Sequence, residues 1–289
     1  MSRGSALADA GPVRTDSFNA SSRDWLDRGV LIAFSLLLFV ISAAHRHLAA
    51  GTPGTGGSPL LEANAGEVLA AAALVKVLIS QRDRPLALAP FDLALLALAS
   101  LAWLAPHQNL PFLAFTIAGL WALARRRSNP ILLPAAQIWL AVSAYELWGR
   151  SLFKLTSSVI IEGETRVLAS VGRVFYPGLQ QDGIRLVASP DWFIYILEGC
   201  SAFHNLSLAV LVWVCLVRLA DGRFGNAEAA ALASGLAGVF TLNVTRILLM
   251  APSRDAYVYW HEGQGAFLFS VLTLAVVAVP TLIAVRRSA

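Results

Sequence analysis

The chain has 289 residues, of which 57% are hydrophobic and only 14% charged, with a mean hydropathy of +0.64. A soluble domain carries about a quarter charged residues, so this chain lacks the polar surface that water demands and the bilayer takes its place as solvent, which excludes a soluble enzyme. The formal charge of +4 comes from basic residues spread in twos and threes between apolar runs, which is a topology signal and not a nucleic-acid patch.

The polar stretch 1–28 makes too long a leader for a cleaved signal peptide and is expected to be a cytoplasmic tail before a retained first helix. Apolar runs then follow at Val30 to Ala44, Leu61 to Ser80, Leu86 to Ala105, Pro111 to Ala124, Ile131 to Trp148, Cys200 to Val217, Ala227 to Met250 and Gly265 to Val285. Several approach the roughly 20 residues that a spanning helix needs, so the expected fold is a single all-α polytopic membrane domain, 1–289, with about eight transmembrane helices. Arg3, Arg14, Arg23 and Arg28, then Arg82 and Arg84, Arg125 to Arg127, Arg218 and Arg223, and Arg286 and Arg287 all fall on one side if both termini are cytoplasmic. Only Arg46 and Arg254 fall in the short loops of the other side, which orients the chain.

One connection breaks the pattern of short loops. Residues 149–199 form a periplasmic segment of a length that is usually functional. Val159, Ile160, Val167, Leu168, Val171, Val174 and Phe175 recur at helical spacing and predict an amphipathic helix on the membrane surface. Asp182-Gly183, between Val174 to Gln180 and Ile184 to Val187, predicts a tight hairpin, and Trp192 to Leu197 leads the chain back to the bilayer.

With the helices so oriented, 200–289 brings three reactive side chains to one face. Cys200 is expected to open the sixth helix, where the backbone dipole favours a thiolate nucleophile. Arg246 lies near the same end of the seventh helix, with Asn243 at i−3 to orient it, and its permanent charge suits an oxyanion. His261 is expected at the start of the eighth, able to protonate a leaving amine. Each has a plainer reading as well: Cys200 as a small buried hydrophobe, Arg246 as the partner of Glu146 or Glu67, and His261 as an aromatic-belt residue. His204, at i+4 from Cys200, either substitutes for His261 or packs, and packing is preferred; Asp92 and Lys76 pair or snorkel, and Cys215 is expected to be buried. No His and Cys group has metal-ligand spacing, and no cofactor is implied.

The segments Glu198-Gly199-Cys200-Ser201-Ala202-Phe203, Asn243-Val244-Thr245-Arg246-Ile247 and His261-Glu262-Gly263 resemble, in order and spacing, the three signature blocks of the exosortase and archaeosortase family. The resemblance covers about residues 167–269. It implies a membrane cysteine transpeptidase or protease with Cys200, Arg246 and His261 as its catalytic set, and Asn243, Glu198, Ser201 and His204 as substrate-binding or orienting residues. It implies as partner an exported protein with a C-terminal sorting signal, made of a motif such as Pro-Glu-Pro, a hydrophobic helix and a basic tail. Ala202, Phe203 and His204 depart from the family's usual Gly, small aliphatic and Arg, which points to a divergent recognition motif. The competing classes are a transporter or lipid-handling protein built on Arg246, Glu146 and Glu67, and a non-catalytic assembly partner that binds through 149–199.

Overall fold

The computed structural model describes residues 15–49, 65–80, 85–105, 107 and 109–288. Ten α-helices run through them: α1 Thr15–Ala49, α2 Ala65–Ser80, α3 Pro90–Ser100, α4 Phe112–Arg125, α5 Leu132–Ser143, α6 Arg150–Gly172, α7 Ala202–Leu219, α8 Asn226–Met250, α9 Arg254–His261 and α10 Gln264–Ser288. Three strands, β1 Gln180–Asp182, β2 Arg185–Ser189 and β3 Trp192–Tyr195, form one antiparallel sheet between α6 and α7. The protein is a helical membrane protein. Among the described residues, α7, α8, α10 and the apolar part of α1 from Ser22 to Arg46 are long and apolar enough to cross a bilayer.

The other apolar runs give shorter helices. The run from Leu61 begins its helix at Ala65, and Leu61 itself, like Arg3, Arg14, Arg82 and Arg84, lies outside the described residues. The expected polar tail is helical from Thr15 onward. Its charges serve the fold: Arg28, 1% exposed, donates to Asp24 and to the Leu78 carbonyl, while Asp24 and Asp27 accept the N–H groups of Leu86 and Leu88. Buried main-chain donors need such partners, and here they come from α1. Lys76 reaches the Leu219 carbonyl and Asp221 beyond α7, and Asp92 binds Trp121 and Arg125. Lys76 and Asp92 therefore find partners, though not each other.

The surface helix is not a separate element. A π-helical turn, Ala144–Gly149, joins α5 to α6 without a break, so one helix runs from Leu132 to Gly172. From Gly149, beside Ser207 of α7, it passes Phe203 at Phe153 and reaches Leu248 of α8 at Gly172, crossing the ends of both helices. The expected apolar face is split: Leu168 is buried, whereas Val159 is 75% exposed. The hairpin also shifts by one residue. Asp182 pairs with Arg185, so the turn is Gly183-Ile184, with Gly183 supplying the positive φ of 58° that its sharpness requires. Val174 to Leu179 are turns rather than strand, and β3 pairs with β2 to make a third strand from the expected return segment.

Close helix contacts rely on missing side chains. A Cβ on Gly238 of α8 would stand 2.3 Å from Val276 Cγ2 of α10. We expect Gly238→Val to destabilise the protein by about 1–3 kcal/mol through overpacking. Gly163→Ala, with open space around it, should leave stability unchanged or raised. Thermal unfolding of the detergent-solubilised variants, followed by near-ultraviolet circular dichroism, checks both.

Candidate active site

The chain reaches Cys200 through the sheet. Ile196 N–H donates to the Ile184 carbonyl, and a single 3₁₀ turn, Glu198–Cys200, follows. Cys200 N–H donates to Leu197 O, and Ser201 N–H to Leu197 O and Glu198 O. The α-helix begins only at Ala202, with Ser201 as N-cap accepting from Phe203 N–H at 3.2 Å. Cys200 thus precedes the cap and does not open the helix, because the turn consumes its N–H. Its side chain is half-buried, whereas Cys215 is fully buried in α7.

Two side chains of α8 fasten this turn and α9. Asn243 Nδ2 donates to the Cys200 carbonyl at 2.9 Å. Arg246, one turn on, donates through Nε to Trp260 O at 3.0 Å and through Nη2 to His261 O at 3.3 Å. A helix leaves its last carbonyls without internal partners, and Arg246 takes two of them at the end of α9. His261 is therefore the last residue of α9 and not the first of the final helix, since the stretch Asp255 to His261 is itself helical behind the Ser253 cap. Among the described residues Arg246 pairs with no acid of another helix. Glu67 holds Arg46 bidentately and Glu146 holds Arg150 at 3.2 Å.

Around the thiol, Cys200, Phe203, Val244, Tyr257 and Trp260 pack on one apolar cluster that includes Ile194, Ile196 and Ile247. His261 stacks on Tyr257, four residues earlier, with centroids 4.7 Å apart and planes at 12°. Its Nδ1 is buried without a hydrogen-bond partner among the described residues, and Glu262, 3.9 Å away, is too far to supply one. Tyr257 also meets Trp192 edge-on, and Trp192 Nε1 donates to Ala251 O. Burial pushes the Tyr257 phenol above its ordinary value, the nearby Cys200 and Glu262 push it further, and Arg246 pulls it back. Tyr257 is thus within electrostatic reach of both the thiol and the guanidinium. It was not singled out in the sequence, where it reads as one more aromatic of a belt.

The remaining candidates separate. Ser201, 2% exposed, is a helix cap bound to Glu164 of α6. His204 accepts or donates a hydrogen bond with Tyr145 of the π-helical turn at 3.0 Å and packs against its ring. Glu198 lines a cavity of about 10 Å³ with Arg150, Phe203, His204 and Ser207, space for one water at most. Glu164 is the larger omission: its one sequence signal is a carboxylate on the inward side of a helix, between buried Ile161 and Leu168. An apolar recess of about 450 Å³ lies beside the site, between Val167, Val171 and Phe175 of the α6 end and Phe240, Val244 and Leu248 of α8.

The chain matches no protein-family model, and neither characterised proteins nor solved structures show significant similarity to it.

Loss of the guanidinium should free the end of α9. We expect Arg246→Ala to make the segment around Trp260 and His261 exchange its amide hydrogens at least about tenfold faster, while α8 and α10 keep their protection. Hydrogen–deuterium exchange of the solubilised protein measures this.

Proposed function

We propose that the protein is a membrane-embedded cysteine peptidase or transpeptidase that cleaves the C-terminal sorting signal of exported proteins. The observation that carries this reading is the tie between three segments: α8 binds the Cys200 carbonyl through Asn243 and the His261 carbonyl through Arg246. The residues that carry a thiol and an imidazole are thus linked through their backbone carbonyls to two positions of α8 one helical turn apart, one of them the guanidinium of Arg246. The resemblance to the exosortase and archaeosortase family adds to it.

In the proposed reaction the Cys200 thiolate attacks the scissile carbonyl and forms a tetrahedral intermediate. Arg246 has spent two of its five N–H donors on carbonyls, which leaves others for the oxyanion. The C–N bond then breaks, the leaving amine takes a proton from His261, and a thioester remains on Cys200. Water, or an acceptor amine or hydroxyl, resolves it and regenerates the thiol. Tyr257, stacked on His261, fixes the plane of the imidazole. The substrate's hydrophobic helix enters laterally from the bilayer, and the apolar recess between α6 and α8 gives it a place to lie, with Val244 shared between the recess and the cluster around Cys200.

In this reading eight helices cross the bacterial inner membrane, both termini are cytoplasmic and the site is periplasmic. The transporter or lipid-handling alternative built on Arg246, Glu146 and Glu67 is less favoured, because Glu67 holds Arg46, Glu146 holds Arg150 and Arg246 binds the end of α9, so the three do not pair with one another.

We expect Cys200→Ala to leave the amount of membrane protein unchanged while uncleaved precursor, its hydrophobic tail intact, accumulates; His261→Ala should do the same. Cys215→Ala and His204→Ala should process normally. Arg246→Lys keeps the charge but not two parallel donors, so processing should fall by at least about tenfold, with a milder loss in Asn243→Ala. Immunoblots of membranes carrying a tagged substrate read all of these, and normal processing by Cys200→Ala would overturn the enzyme reading.

A further inference from the structure

The carboxyl group of Glu164 sits where the Cys200 turn becomes α7. Its Oε1 accepts from Ser201 Oγ at 3.0 Å and from Ala202 N–H at 3.2 Å. Its Oε2 is shut off from solvent and has no hydrogen-bond partner among the described residues. The other donors at this end are used as well: Cys200 and Ser201 N–H bond back to Leu197 and Glu198, and Phe203 N–H bonds to Ser201 Oγ. The positive end of α7 is therefore met by a carboxylate from α6, and that carboxylate is bound to the residue next to the thiol. Burial opposes the two hydrogen bonds and makes Glu164 a weaker acid than an ordinary glutamate.

We propose that Glu164 is a positioning residue for Cys200: by binding Ser201 Oγ and Ala202 N–H it ties α6 to the Cys200–Ser201 turn and fixes where the thiol stands. This rests on the reading of Cys200 as the nucleophile. Glu164→Gln keeps an oxygen that can accept both hydrogen bonds, whereas Glu164→Ala removes them.

The test is the rate at which iodoacetamide alkylates Cys200 in the full-length solubilised protein, read by mass spectrometry of the Cys200 peptide. Glu164→Ala should change the alkylation rate by at least about threefold, and Glu164→Gln, which keeps the acceptor oxygen, should restore a rate close to that of the wild type. Loss of packing alone would not be rescued by the amide. Glu164→Ala should in addition speed hydrogen exchange at Ala202, whose N–H loses its acceptor. Equal alkylation of Glu164→Ala and wild type would overturn the positioning role, and unchanged exchange at Ala202 in Glu164→Ala would overturn the tie. Alkylation needs no substrate, so this result and the processing by Cys200→Ala can fail independently.

Discussion

A helix that ends leaves carbonyl groups without partners, and near a bilayer there is little water to take them. In this protein α9 ends at His261, and the chain enters α7 through an irregular turn at Cys200. The carbonyls left over at both places are taken by one helix, α8, through Asn243 and Arg246. Much of the site geometry follows from those bonds. They hold the thiol-bearing turn and the imidazole-bearing helix against the same face of α8, and they also explain why a polar pair stands in an otherwise apolar helix.

The same rule accounts for the rest of the charged side chains in the apolar runs. Asp24, Asp27 and Arg28 satisfy the backbone of residues 86–88 and the end of α2. Asp92 holds Trp121 and Arg125, and Glu67 holds Arg46. Removing one member of such a buried set leaves the other charge uncompensated, which costs more than the pair contributes. These residues belong to assembly of the bundle, and Arg246 differs from Arg28, Arg46 and Arg125 in binding backbone carbonyls with no acid partner among the described residues.

The continuous helix from Leu132 to Gly172 gives the site its second support. Its π-helical turn sets Tyr145 against His204 and Glu146 near Arg150, and the helix beyond it carries Glu164 to the start of α7. Extra residues in a π-helical turn shift the register of everything after them. The inward side of α6 thus presents Phe153, Ile161 and Leu168 to the sheet and the α7 end, with Glu164 among them.

The sequence by itself determined the membrane class and the helical runs, because hydropathy and length are local properties that the bilayer reads directly. It also singled out Cys200, Asn243, Arg246 and His261 as candidates, from their spacing and the ends of the runs they occupy. The tertiary structure decided what each of them touches. Whether Cys200 lies in a helix or before its cap depended on the carbonyl of Leu197, and whether His261 begins or ends a helix depended on Ser253 and Arg246. Glu164, Tyr257 and the join of α5 to α6 were illegible for the same reason. A hydrogen bond between α6 and α7, or a ring that shares an apolar cluster with a thiol from another segment, is set by how distant elements pack, and no local pattern of residues encodes it.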